Sequence, residues 1–236
     1  LNTHDAWTLG DTMTPKEFLD GLGVEDRERL RGRMVESRHN RDDVVISQND
    51  ATLDVFFVLE GTARAQGLSE EGRLVTYREI PEGAIFGELS AIDALPRSAD
   101  VVATGPLTVG RLTQSEFRSV VDTDNAFRWA LLSYMTEQSR IMTARIFEFS
   151  TMVVRERLIG ELVRMADGLP DINGRVEIKP APTHADLASR IATHREAVSR
   201  EMSALTKDGI IGKGHKTLIV NNVAELQALR DKKAET

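Results

Sequence analysis

The chain contains no cysteine. That single absence excludes disulfides, thiolate zinc sites, cysteine-ligated iron–sulfur clusters and thiol-based redox sensing. Long apolar runs are missing as well. None approaches the roughly 20 residues that a helical membrane span requires, so no membrane partner is expected. The polar, acidic stretch Leu1–Asp11 carries no signal-peptide pattern, which predicts a cytoplasmic protein. Histidines are few, and His184, His194 and His215 fall on separate elements without the spacing of a metal-binding helix, so no metal is expected. Glu88 and Asp93 form the only acid pair worth weighing for an enzyme, and both are better explained below. There is no internal repeat and no low-complexity tract.

Charge is unevenly spread. The net value of −7 argues against a uniformly basic nucleic-acid binder. Residues 1–150 hold 16 Lys/Arg against 25 Asp/Glu, whereas residues 151–236 hold 14 against 12. An acidic front and a mildly basic rear suggest two parts with different partners.

The pattern along the chain supports that division. Thr14-Pro15 before Lys16–Leu22 reads as a short capped helix, and Val24–Met34 as a weakly amphipathic one. From Val35 to about Leu112 the chain turns to short β-rich runs: Val44–Ile46, Val55–Leu59, Leu74–Tyr77, Val101–Ala103 and Leu107–Val109. Glycines punctuate them, which predicts a small antiparallel barrel or sandwich with Phe56-Phe57 in its core. Asn125–Phe149 holds no Gly or Pro and reads as one long helix. Leu132, Met135, Ser139, Met142, Ile146 and Phe149 form a heptad seam on it, beside a second apolar stripe of Phe127, Leu131, Tyr134 and Ile141. One stripe would pack on the barrel and the other on a partner helix, and Trp129 is expected to be a packing residue. Val153–Ala166 is a further helix. Ala185–Ala192, a tight turn, His194–Lys207 and a hairpin through Val220 then follow the order of a winged helix-turn-helix.

Two constellations carry chemistry. In Phe86-Gly87-Glu88-Leu89-Ser90, Gly87 lets backbone approach a ligand and Glu88 follows at once; Arg97-Ser98 arrives nine residues later. An arginine fork and exposed amides suit a phosphodiester, and the carboxylate can accept a hydrogen bond from a ribose hydroxyl. Farther on, Arg195, Glu196, Ser199 and Arg200 project near the start of the predicted His194–Lys207 helix. Arginine can bond guanine O6 and N7, and glutamate can accept from the cytosine amino group. Thr183, Lys213, His215 and Lys216 are placed for phosphates. The competing reading is a solvated helix face with a Glu196–Arg200 ion pair.

The first segment resembles the phosphate-binding cassette of cyclic-nucleotide-binding domains. With cassette, long helix and winged domain in that order, residues 20 to 225 resemble the Crp/Fnr family of bacterial transcription regulators. The resemblance implies an α+β fold: an N-terminal antiparallel β-roll of the jelly-roll-like, cyclic-nucleotide-binding type (1–123), a long dimerisation helix (124–150) and a C-terminal winged helix-turn-helix (151–236). It implies that Glu88 binds the ribose 2′-hydroxyl and that Arg97 and Ser98 bind the cyclic phosphate. Phe86, Gly87, Leu89 and Ser90 would line the pocket. Met142 falls where cAMP-responsive members use a threonine against the adenine amino group, with Thr143 beside it. Methionine neither donates nor strongly accepts a hydrogen bond, so base readout must differ. The implied effector is a cyclic nucleotide, cAMP first and cGMP second. The implied partners are double-stranded DNA with an inverted repeat, a second copy of the chain and RNA polymerase. The alternative is a DNA-binding regulator that keeps the pocket as scaffold, with Arg97 paired to a carboxylate such as Glu88.

Overall fold

Runs of β-branched and aromatic residues, broken by turns, give the N-terminal part its strands. The computed structural model describes residues 17–70 and 72–231. Strands β1 (Val35–His39), β2 (Val44–Ile46), β3 (Val55–Glu60), β4 (Ala63–Leu68), β5 (Leu74–Ile80), β6 (Ile85–Phe86), β7 (Asp100–Ala103) and β8 (Leu107–Leu112) form two four-stranded sheets. Their orders are β1-β8-β3-β6 and β2-β7-β4-β5, and every pairing is antiparallel. Apart from the β4–β5 hairpin, neighbours in each sheet are distant in sequence, as in a β-roll rather than a meander. Helix α1 (Val24–Arg31) precedes the roll, α2 (Glu88–Asp93) interrupts it, and α3 (Gln114–Thr123) and α4 (Asn125–Thr151) follow it.

The chain divides within α4: one compact unit ends at Ile141 and the other begins at Met142. In the first unit, Val58, Ala63, Ile80, Ala103 and Val109 are fully buried between the sheets. A second cluster gathers Phe18, Phe57, Phe117, Phe127 and Tyr134, with edge-to-face rings 5.2–6.0 Å apart at Phe18–Phe127, Phe18–Tyr134 and Phe117–Phe127. The α4 stripe Phe127, Leu131 and Tyr134 is therefore spent on the first unit's core. In the second unit, α5 (Val154–Ala166), α6 (His184–Arg190), α7 (Arg195–Lys207) and α8 (Val223–Asp231) pack with strands β9 (Asp171–Ile172), β10 (Arg175–Ile178), β11 (Ile211–Gly214) and β12 (Thr217–Val220). Leu158, Leu162, Leu187, Ile191, Val198 and Leu205 fill its core.

The second unit also contains a buried ionic cluster. Glu161 is 2% exposed and accepts from Arg145, Arg164 and Arg190 at 3.0–3.3 Å. Arg164 pairs in addition with Glu148 at 2.8 Å. Residues from the end of α4, from α5 and from α6 are thus tied to one carboxylate. Burial pushes that carboxyl's pKa up, the three guanidiniums push it down, and the guanidiniums prevail.

Three expectations change. The predicted helix over Lys16–Leu22 is a four-residue 3₁₀ turn, Phe18–Gly21, and Thr14, Pro15 and Lys16 lie outside the described residues. A single turn suffices because its job is to drop Phe18 into the aromatic cluster. Trp129 is not a core residue among the described residues, being 63% exposed, since it sits off the Phe127–Leu131–Tyr134 face. The predicted seam is uneven as well. Leu132, Ser139, Met142 and Ile146 are exposed, but Met135 is half-buried against the first core and Phe149 lies under the Arg157 guanidinium.

Candidate functional site

Gly87 adopts φ +82°, the left-handed region that favours glycine, and caps α2. A Cβ here would fall 2.8 Å from Arg97 Nη1 and 2.9 Å from the Asp54 carbonyl. Only glycine leaves room for the guanidinium that comes back to it. Arg97 is 3% exposed; its Nη1 donates to Gly87 O at 2.8 Å, Nη2 to Asp54 O at 2.7 Å and Nε to Thr52 Oγ1 at 3.1 Å. Its backbone is fixed too, with Arg97 N donating to Asp50 O and Asn49 N donating to Arg97 O, each at 2.9 Å. A guanidinium has five N–H donors. Two therefore remain for an anion.

Glu88 is 8% exposed and makes no hydrogen bond to another described side chain. Burial raises its pKa, while Arg78, its own backbone amide and Arg97 pull the other way. Arg97 and Glu88 are not in ion-pair contact, so the pairing that the scaffold alternative invokes is replaced by neutral acceptors. Of the other expected pocket residues, Phe86 is core, 1% exposed and stacked on Phe56 with centroids 5.2 Å apart. Ser90 points inward, whereas the Leu89 and Ser98 side chains are exposed. Met142 and Thr143 are exposed residues of the second unit.

Sequence reasoning overlooks Arg78, because the apolar strand signal stops at Tyr77. A β-bulge changes the register: Ala65 pairs with Arg78 and Gln66 with Thr76. Arg78 Nη1 donates to Tyr134 Oη and to Gln138 Oε1 on α4, and Nη2 donates to Ile85 O at 2.9 Å. Beside it, burial pushes Glu17 up to about 7, with Arg78 opposing and Asp20 and Glu137 assisting. Between 4.5 and that value the folded chain holds a proton that the unfolded chain has lost. Stability should therefore decline as pH rises through that window, and Glu17→Gln should flatten the decline in urea titrations at pH 5 and pH 8.

The residues expected to meet nucleic acid lie in the second unit. Arg195, Glu196 and Arg200 are exposed at the start of α7, and Glu196 makes no ion pair with Arg200. Lys213, His215 and Lys216 are exposed on the β11–β12 hairpin. His184 Nδ1 lies 2.7 Å from Ser199 Oγ, and its pKa is lowered by burial and then by Lys213 and Arg195, so basic groups from α6, α7 and the hairpin converge. Thr183 caps α6, as a threonine just before that helix predicts: its N–H and hydroxyl both bond to Asp186 Oδ2 in a capping box.

Two family models match: a cyclic nucleotide-binding domain over residues 36–124 and a Crp-like helix-turn-helix domain over residues 156–229. The first holds Arg97 and Glu88; the second holds the exposed face of α7. The chain belongs to the Crp/Fnr family. Members are transcription regulators rather than enzymes, and this one is a DNA-binding regulator with a cyclic-nucleotide-binding domain. Among Crp/Fnr relatives, the cAMP-activated global transcriptional regulator Vfr of Pseudomonas aeruginosa is 23% identical over 216 residues, covering 89% of this chain and 96% of the relative. The cyclic AMP receptor protein of Thermus thermophilus is 24% identical, covering 92% and 98%. A CooA mutant from Carboxydothermus hydrogenoformans shares the fold with a TM-score of 0.77 at 20% identity, covering 92% of this chain and 97% of that one. The c-di-GMP-responsive regulator CLP of Xanthomonas campestris gives 0.75 at 14%, covering 84% and 99%.

Proposed function

We propose that this regulator is a homodimer whose grip on an inverted-repeat operator is set by a cyclic purine nucleotide in the β-roll. The observation that carries the reading is the pair of unspent N–H donors on Arg97, one cassette helix away from a buried Glu88 with no hydrogen-bonded partner side chain. The cyclic phosphate takes the arginine and the 2′-hydroxyl takes the carboxylate, with Gly87 and Ser98 backbone beside them. The names of two relatives, cAMP-activated and cyclic AMP receptor, support the ligand class. The exposed residues Leu132, Ser139, Met142 and Ile146 supply the dimer seam on α4. RNA polymerase in the cytoplasm is the further partner.

Coupling between nucleotide and operator is typically worth about 1–3 kcal/mol, or roughly 5–150-fold in DNA affinity. Calorimetric titration with cAMP and cGMP, followed by operator binding with and without nucleotide, tests the reading. Absence of heat with both nucleotides would sink it. On the DNA side, Arg195→Ala should cost about 1–3 kcal/mol and relax specificity at one base pair, while Lys216→Ala should chiefly reduce the salt slope. Equal weakening on all sequences by both variants would show that the base contact is wrong.

A second reading, a regulator whose pocket is scaffold, draws on the three protein acceptors that already hold Arg97. It requires the same operator affinity with and without nucleotide.

A further inference from the structure

We propose that Arg78 reads the nucleobase and makes the pocket prefer guanine to adenine. The inference rests on the cyclic-nucleotide reading above and adds the identity of the base. Arg97 Nη1 donates to Gly87 O at 2.8 Å and Arg78 Nη2 to Ile85 O at 2.9 Å, so the two guanidiniums hold different carbonyls of the segment that leads into Glu88. Glu88 is the carboxylate whose charge acts on both, the shared group of the set Arg97, Glu88, Arg78.

A 3′,5′-cyclic ribonucleotide has a matching set of groups. Its C2′ hydroxyl is flanked on one side by C3′, which carries the phosphate ester, and on the other by C1′, which carries the base. A ligand with its phosphate at Arg97 and its hydroxyl at Glu88 turns its base toward Arg78. The Arg78 fork is prepared for that contact. Nη1 is occupied by Tyr134 Oη and Gln138 Oε1 on α4, and one Nη2 hydrogen by Ile85 O. Within the described residues this leaves Nε–H and one Nη2–H unspent, on a guanidinium whose plane is already fixed. Guanine offers two acceptors, O6 and N7, to such a fork, whereas adenine puts a donor, the N6 amino group, where O6 would be. A guanidinium cannot accept, so adenine gains one bond at most and meets a donor with a donor.

The test uses the full-length protein and four cyclic nucleotides in calorimetry: cGMP, cIMP, cAMP and the 2-aminopurine analogue. cIMP keeps O6 and N7 without the 2-amino group, and the 2-aminopurine compound keeps the amino group without O6. The expected result is that cGMP and cIMP bind about tenfold to a hundredfold more tightly than the other two. In Arg78→Met that ratio should collapse to within about threefold, with cAMP affinity little changed and folding checked by its melting curve. Because Arg78 also anchors Tyr134, the variant can lose its fold; the ligand series on the unaltered protein then decides alone. cAMP binding as tightly as cGMP would overturn this inference and leave the cyclic-nucleotide reading intact. Grouping of the 2-aminopurine compound with cGMP would also overturn it, since the amino group would then be the feature read. If none of the four binds, the parent reading falls and takes this one with it.

Discussion

Glu161→Ala is expected to destabilise the DNA-binding unit by about 3–5 kcal/mol, the largest stability effect of any single charged residue described here. The carboxylate is 2% exposed, and three guanidiniums converge on it at 3.0–3.3 Å. Removing it leaves buried positive charges facing one another, with only Glu148 to offset Arg164. Breaking a buried ionic cluster in this way costs far more than the cluster contributes relative to a well-packed apolar replacement. Amide exchange across residues 154–231 should accelerate, while protection in the β-roll should persist. The pH dependence has a definite sign. The folded pKa of Glu161 lies below its ordinary value. The stability from its charge is thus fully present above about pH 4.5 and is lost as pH falls through the folded pKa. Glu161→Gln, which keeps the shape, should remove that acid dependence. An unchanged acid transition in Glu161→Gln would show that the cluster does not control it.

Arg97→Ala is expected to reduce cyclic-nucleotide affinity by two orders of magnitude or more. Two charge-assisted bonds to a phosphate are each worth about 1.5–3 kcal/mol, which corresponds to at least a hundredfold together. The same change strands the half-buried carbonyls of Gly87 and Asp54, so the protein should also melt at a lower temperature. Arg97→Lys separates the two effects. It keeps the charge but loses the fork, so affinity should recover only partly while the phosphate still favours binding over Arg97→Ala. Equal nucleotide affinity in the unaltered protein and Arg97→Ala would remove the guanidinium from the site.

The parts of this architecture legible in the sequence are those where one strong local signal agrees with the tertiary context. The long helix is foreseen at Asn125–Phe149 and extends two residues farther, to Thr151, because neither Gly nor Pro intervenes. The helices expected at Ala185–Ala192 and His194–Lys207 match α6 and α7 to within two residues at each end, since the Thr183 cap and a tight turn mark their starts. Strand β4 is hidden, because Ala-Arg-Ala-Gln-Gly-Leu has no β-branched residue and is held in place by its neighbours β5 and β7. The β9–β10 hairpin carries a readable signal that the Pro170 break masks: Asn173 and Gly174 have φ of 57° and 82°, the conformation Asn-Gly favours in a two-residue turn. In the pocket, Gly87, Glu88 and Arg97 stand out through their spacing. Arg78, Thr52 and Asp54 come from other strands and loops, and only folding brings them together.

The connector between β2 and β3 is stitched to the pocket by one residue. Asn49 and Asp50 bond the Arg97 main chain, while Thr52 Oγ1 and the Asp54 carbonyl bond its side chain, and the Asp54 carboxylate in turn holds Arg111 of β8. Any anion that recruits the two spare donors pulls on that whole stretch at once. The earliest report of an occupied receptor should therefore be slower deuterium uptake at positions 49–54, preceding whatever rearrangement reaches the operator.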